Sequence, residues 1–376
     1  MKIAIAVDSF KGSLTSLEAG EAIQKGIHQI DASTDIQVYE VSDGGEGSMS
    51  ALKHGLEHVE SVTMIATDTL NRAREVSYLI TTWKNKKTAI IESASIIGIE
   101  AIKPSEETTK QGSSFGVGEM ILDAKARNCK QIVIFLGGTA TSDGGLGLLT
   151  ALTKGNKHEG NLLLQEAKFD IDLHALKETF AELEIFIGSD VSNPFSGELG
   201  FAHVFAPQKG ASLEQVKRLD ARAKDWANFI FEQVGTDLNE LAGTGAAGGI
   251  AGSLVCIGGK IESGFDLIAA MTNLEAALKT ADLIYTGEGS IDQQSAQGKL
   301  PMKIAEIARK YAIPVIGLAG RRSANLGDLE ALLLGVFSIQ QEPISLDSAL
   351  KKEVAAKNLA LTARESYQLF KYIPKN

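Results

Sequence analysis

An apolar run of strand length twice opens onto a loop carrying glycine and a carboxylate and then onto a helical pattern, and this unit constrains the fold most. Ile3-Ala4-Ile5-Ala6-Val7 leads into Asp8-Ser9-Phe10-Lys11-Gly12-Ser13, followed by a capping-box pair, Thr15 and Glu18. The helix predicted next places Ala19, Ala22, Ile23, Gly26, Ile27 and Ile30 on one buried face. Residues 36–41 read as a second strand, ending in Ser42-Asp43-Gly44-Gly45-Glu46-Gly47 and another helix. Units of this kind build a parallel sheet whose strand C-terminal ends receive ligands.

From about residue 60 the pattern changes. Strands predicted at 61–66, 75–82 and 88–92 are joined by links such as Asn85-Lys86-Lys87, too short for helical crossovers, so they pair antiparallel. Alternation resumes with a helix near 113–127, a strand at 131–136 and the glycine-rich turn 137–147. A strand at 184–188 ends in Ser189-Asp190, and Ser212 with Gln215 marks the start of a long helix. The parallel signature returns in strands at 282–285, 314–318 and 333–337, a helix from about 301 and a last one from about 346. The predicted architecture is α/β with two domains. A parallel, Rossmann-like three-layer domain comes from both chain ends, 1–62 plus 282–376, and an α/β domain with a mixed sheet, 63–281, is inserted in it.

Composition narrows the partners. With 37 basic and 47 acidic side chains among 376 residues the net charge is −10, which argues against a nucleic-acid binder. Anionic ligands must be met by local cations or backbone N–H groups. Cys129 and Cys256 cannot make a disulfide framework, and Met1-Lys2 runs straight into a strand, so the expected compartment is the cytoplasm. Residues 241–259 carry no charge, but seven of them are glycine, and no membrane span is expected. Glycine stands at 38 residues and proline at only 7, an imbalance that suits ligand-cradling turns better than linkers.

Four strand ends carry such turns: Asp43 to Gly47, Gly137 to Gly145, Ser189-Asp190, and Gly287-Glu288-Gly289 with Asp292. Glycine lets backbone N–H groups converge on an anion, so the set reads as phosphate-binding. The familiar fingerprints are absent. Gly243-Thr244-Gly245-Ala246-Ala247-Gly248 has the dinucleotide glycine spacing but no strand before it, and neither Gly259-Lys260 nor Gly298-Lys299 completes a Walker A loop. Lys11, Lys209 and Lys299 are candidate cations for an acid or a triphosphate, and Arg321-Arg322 follows a strand where a ligand would lie. His54 and His58 form the sole histidine pair at helical spacing, which a solvated helix end explains as well as a metal does.

Asp8 to Ser13, Ser42 to Gly47, Gly137 to Gly145, Asp190-Val191-Ser192-Asn193-Pro194, Pro207-Gln208-Lys209-Gly210-Ala211, Gly245 to Gly249 and Thr286 to Lys299 resemble, in order and spacing, the bacterial glycerate kinase family of the type-1 class. The resemblance covers essentially the whole chain. It implies two α/β domains, one inserted in the other, and phosphorylation of D-glycerate by ATP with Mg2+, at the 2-hydroxyl in this class, giving 2-phosphoglycerate in cytoplasmic sugar-acid catabolism. Ser142 departs from the family pattern, where asparagine is usual, and Ser189 and Ala206 replace a cysteine and a glycine.

Phosphoryl transfer asks a protein for positioning and charge stabilisation, with Mg2+ on phosphate oxygens and a base beside the attacking hydroxyl. Asp190 is the expected base, ending a strand beside Asn193-Pro194, whose amide would orient it; Asp43, Asp143 and Asp292 are rivals. Lys11 and Asp292 complete the expected catalytic set, and Asp43, Asp190 and Asp292 are the metal candidates. Contacts to substrate or phosphate are expected from Ser13, Asp43, Gly44, Gly45, Glu46, Gly137, Gly138, Thr141, Asp143, Asn193, Lys209, Gly287, Glu288 and Lys299. The alternatives are a glycerate kinase forming 3-phosphoglycerate and a non-catalytic two-domain binder of small organic acids. The expected partners are small molecules, D-glycerate and ATP, with neither nucleic acid nor membrane, and no motif speaks to oligomeric state.

Overall fold

The computed structural model describes residues 1–372 apart from 46, 156, 158, 159, 294, 296 and 297. Glu46, an expected phosphate contact, therefore lies outside the described residues. The chain divides into two compact units: Met1–Asp43, Ser50–Gly55 and Ile268–Asn376 make the first, Gly44–Met49 and Leu56–Leu267 the second. Residues 56–62 thus go with the second unit and 268–281 with the first, whereas the sequence reading puts the boundaries at 62 and 281.

In chain order the strands are β1 (Lys2–Val7), β2 (Asp35–Val38), β3 (Glu60–Thr67), β4 (Ala73–Trp83), β5 (Lys86–Glu92), β6 (Gln131–Phe135), β7 (Glu184–Gly188), β8 (Lys260–Glu262), β9 (Leu283–Ile291), β10 (Val315–Arg322) and β11 (Gly335–Ser338). The first unit holds a five-stranded sheet in the order β11-β10-β9-β1-β2, parallel throughout. Its helix Ser16–His28 begins at the predicted capping box: Thr15 Oγ1 accepts from Glu18 N, and Glu18 Oε2 accepts from Thr15 N. Ile23 and Ile27 of that helix pack with Leu359 and Tyr367 of Lys352–Tyr372 over Ile3, Ile5, Tyr285 and Leu318. Side chains alternate across a strand, so this cluster covers one face, and Leu300–Lys310 packs on β9 from the other. The result is the expected three-layer α/β arrangement.

In the second unit the sheet order is β3-β4-β5-β6-β7-β8. Its first two pairings are antiparallel and the rest parallel, as the short links predict. Lys84 and Asn85, at φ 49° and 61°, close the β4–β5 hairpin in the left-handed geometry that two-residue turns need. Ile91, Ile132, Ile134 and Ile187 form the sheet side of a core shared with Val117 and Met120 of Phe115–Ala126 and Leu219 and Trp226 of Leu213–Val234. β8 is three residues long and carries no apolar run, so it is not legible in sequence. The uncharged stretch 241–259 folds into a 3₁₀ turn, Ala246–Gly249, and the helix Ile250–Cys256. Among the described residues no helix is long and apolar enough to cross a membrane.

Candidate functional site

In the first unit β2 follows β1 on one side of the sheet while β9 and β10 lie on the other, so the connection reverses direction between β1 and β9. Open α/β sheets bind ligands outside the strand C-termini at such a reversal. A cavity of about 440 Å³ lies there, lined by Asp8, Lys11, Ser13, Asp43, Glu288, Asp292, Lys299 and Arg321 among others. Six of the residues expected from sequence meet in it: Lys11, Ser13, Asp43, Glu288, Asp292 and Lys299.

Asp8 ties the two central strands together, its N–H donating to the Gly287 carbonyl at 2.8 Å, while its Oδ1 accepts from Ser9 N at 2.7 Å. Burial and the neighbouring carboxylates Asp43 and Glu288 push its carboxyl up to about 7. Burial also raises Glu288, whose Oε1 is buried with no hydrogen-bond partner and whose Oε2 stands 4.0 Å from Lys299 Nζ. Asp292 Oδ1 accepts from Ser295 N at 3.3 Å, which fixes the turn after β9. Asp8 is absent from the sequence-derived site, although the signal that selects Asp190, a carboxylate ending an apolar strand, applies to it equally.

Gly287 corrects an expectation. The sequence reading ends the strand at 285 and makes Gly287-Glu288-Gly289 a cradling loop, but β9 continues to Ile291, paired with β10 as far as Arg322. A Cβ at Gly287 would stand 2.1 Å from the Leu318 carbonyl oxygen. Close approach of the two strands requires that glycine, and no anion-binding turn exists there.

The second unit gathers other residues at the C-terminal ends of β5, β6 and β7. A Cβ at Gly44 would lie 2.6 Å from Gly264 Cα, and one at Gly137 would lie 2.6 Å from Gly45 Cα. Asp190 Oδ1 accepts from Gly264 N at 3.2 Å. Asp190, Gly44, Gly45 and Gly137 are therefore contiguous, joined through Gly264, which sequence reasoning misses because its partners are some 75 to 220 positions away. Asn193 does something else: its amide donates to the Leu199 carbonyl at 2.8 Å and its carbonyl accepts from Gly245 N at 3.1 Å. These bonds shape the loop, and a backbone N–H, that of Gly264, is one partner of Asp190.

Beyond Gly138, whose carbonyl accepts from Ile99 N at 2.8 Å, the 137–145 loop turns inward. Asp143 is 1% exposed, and its oxygens accept from Ser114 N, Ser114 Oγ, Gly145 N and Gly147 N at 2.7, 2.7, 3.1 and 3.2 Å. Both oxygens are thus engaged inside the protein, so Asp143 anchors the loop. Burial still raises its carboxyl above the usual range. Lys209, 5% exposed, grips the same loop, its Nζ donating to Thr139 Oγ1 at 3.2 Å and to the Thr141 carbonyl at 2.8 Å. Loss of water pulls its ammonium down to about 7 despite the attraction of Asp143.

No three acid, histidine or cysteine side chains among the described residues stand together as a ready-made metal site. His54 Nδ1 bonds Glu40 Oε2 at 2.6 Å on a helix that ends at Gly55, before His58.

Residues 3–371 match the model of the glycerate kinase family. The chain belongs to that family. It is similar to the glycerate kinase of Halalkalibacterium halodurans, at 33% identity over 96% of this chain and 98% of the relative. The glycerate 2-kinase of Escherichia coli K12 is 34% identical over 96% of this chain and 98% of its own. The crystal structure of a Salmonella typhimurium LT2 protein assigned as glycerate kinase 2 superposes with a TM-score of 0.81 at 34% identity, covering 99% of this chain and 98% of that one. As a member of this family the chain is a kinase, so the reading as a non-catalytic binder is set aside.

Proposed function

We propose that this member of the glycerate kinase family transfers the γ-phosphoryl group of ATP to the 2-hydroxyl of D-glycerate, giving ADP and 2-phosphoglycerate. The observation that carries the reading is the end-to-end similarity to a relative named glycerate 2-kinase, with 96% of this chain covered. The first unit's cavity suits the phosphates: Lys11, Lys299 and Arg321 line it at the strand ends. Asp190 is the base, held by Gly264 N so that one carboxylate oxygen faces a fixed donor while the group takes the proton from the 2-hydroxyl. The glycines at 44, 45 and 137 let backbone approach where a side chain would not fit.

The residues present fit Mg2+. Asp8, Asp43 and Glu288 are hard oxygen donors on one cavity; burial first, and then the charges of Asp43 and Glu288, raise Asp8, and the repulsive part is what a divalent cation would relieve. Mg2+ commonly takes one or two carboxylates and completes its shell with water and substrate phosphates, so a protein cage of three is not required. Asp43 and Asp8 are the proposed holders, with Asp292 beside them, and the ion when bound would neutralise charge on the phosphate oxygens. The test is a coupled assay of ADP release with and without D-glycerate, with phosphorus NMR of the product. Glycerate-dependent ADP and a 2-phosphoglycerate resonance are expected. Exclusive 3-phosphoglycerate overturns the regiochemistry, and no glycerate-dependent ADP overturns the function.

A further inference from the structure

The cavity of the first unit has a part that the phosphate reading leaves unused. Its charged lining comes from the segments after β1, β2 and β9 and from Arg321 in β10, but Phe10, Ile339, Ala355, Leu346, Ala349 and Leu350 line it too. Phe10, Ile339 and Ala355 belong to the core, whereas Leu346 and Leu350 are 72% and 36% exposed. Leu350 reaches the loop after β1, where a Cβ at Gly12 would stand 3.8 Å from its Cδ2. Leucines left bare together on a cavity wall mark where an apolar group of a ligand packs.

Gln340 lines the same cavity between two anchored neighbours. Ile339 N donates to the Ala319 carbonyl at 2.8 Å, and Gln341 Nε2 donates to Thr362 Oγ1 at 2.9 Å. Gln340 Nε2 donates to the Gly320 carbonyl at 3.2 Å, its sole side-chain bond among the described residues. A carbonyl can only accept, so it fixes which end of the amide is the donor and leaves Oε1 and one N–H to spare.

We propose that the exposed leucines of 346–350 and the Gln340 amide form the nucleobase subsite of this cavity, and that the base it selects is adenine. The inference rests on the ATP reading and deepens it by saying where the base lies and what recognises it. β11 and β1 are three strand spacings apart, about 14 Å, with β10 and β9 between them. A base beside Ile339 and Gln340, which follow β11, therefore leaves its phosphates over Arg321, Lys299 and Lys11. Leu346 and Leu350 offer apolar surface to the flat face of the ring. The pinned amide presents acceptor and donor in one order. Adenine answers with its N6–H donor and a ring-nitrogen acceptor, whereas guanine carries an acceptor at the 6-position, so the same amide cannot pair with it twice.

The test is calorimetry with MgATP, MgGTP and inorganic tripolyphosphate on the wild type, Gln340→Met and Leu346→Ala, beside the assay of glycerate-dependent ADP. The wild type should favour ATP over GTP by roughly 5- to 150-fold, the worth of one bidentate pair, and Gln340→Met should bring that ratio close to one. Leu346→Ala should weaken ATP and GTP alike by roughly 3- to 10-fold through lost apolar contact, and should fold normally because that leucine is mostly exposed. Tripolyphosphate, lacking a base, should bind all three proteins within about two-fold of one another. A wild type indifferent between ATP and GTP, a ratio unmoved by Gln340→Met, or tripolyphosphate weakened as much as ATP overturns the subsite. If discrimination behaves as stated but no glycerate-dependent ADP appears, the glycerate reading falls and the subsite stands. If that ADP appears and both variants bind ATP as the wild type does, the subsite falls and the glycerate reading stands. A wild type that binds no nucleotide overturns both.

Discussion

Lys209 makes a stability prediction that runs against the usual expectation for a core substitution. Its ammonium, 5% exposed, is pulled from 10.5 to about 7, so holding this residue in the native interior at pH 7 costs about 4 kcal/mol relative to the unfolded chain. Lys209→Met fills similar volume without the charge. It gives up two hydrogen bonds of about 1 kcal/mol each and the attraction to Asp143, whose oxygens retain their four donors. The balance, about 4 kcal/mol against about 2, favours the variant by at most about 2 kcal/mol at pH 7, and the lost attraction to Asp143 reduces it further. The sign with pH follows from proton counting. Between about 7 and 10.5 the native state binds fewer protons at this site than the unfolded state, so the cost is full below 7 and fades as pH rises. The advantage of Lys209→Met should therefore shrink by up to about 1.4 kcal/mol per pH unit above 7, and taking the difference between the proteins cancels the titrating groups that Lys209 does not touch. Both tryptophans, Trp83 and Trp226, belong to the second unit, so urea unfolding followed by tryptophan fluorescence reports on the unit concerned. A variant that is less stable by the same amount at pH 7 and pH 9 would refute the reasoning and make Lys209 a structural strut.

Three further outcomes are expected. Asp190→Asn should lower kcat by roughly 10²- to 10⁴-fold with ATP and glycerate KM little changed; near-normal turnover at every Mg2+ concentration would remove Asp190 from the reaction. Asp8→Asn should shift the Mg2+ dependence of activity to concentrations at least about ten-fold higher, a loss partly restored by mass action, and an unshifted Mg2+ titration would place the ion elsewhere. Gly137→Ala puts a Cβ 2.6 Å from Gly45 Cα, backbone against backbone, and should cut kcat/KM by more than about ten-fold in steady-state assays. Gly197→Ala, whose Cβ would meet no atom within 4 Å but whose φ of 90° strains any side chain, controls for backbone strain alone: it should lower the melting temperature and remain active.

Periodicity and spacing carry most of the secondary structure, because local rules govern it. The capping boxes at Thr15 and Ser212 form as read, and the links of the 60–92 segment are too short for anything but antiparallel pairing. Where the sequence reading departs from the structure, a distant backbone is the cause. β9 runs on to Ile291 because β10 lies beside it, and a glycine that looks like turn punctuation turns out to be required by a neighbouring carbonyl. β8 exists only because β7 offers an edge to three residues with no strand pattern of their own.

The chain by itself determined the fold class, the family and the loops that bear chemistry, since these follow from short-range patterns and from ordered motifs along 376 residues. Tertiary structure alone decided which of those residues do what. Asp43, Asp143, Asp190 and Asp292 are equivalent carboxylates in sequence. Folding puts Asp43 and Asp292 on the cavity that Asp8 lines, fastens Asp190 to Gly264, and seals Asp143 behind four donors. The physical reason is that a carboxylate's role depends on how much water and how many donors surround it, and those neighbours come from elements far away in the chain.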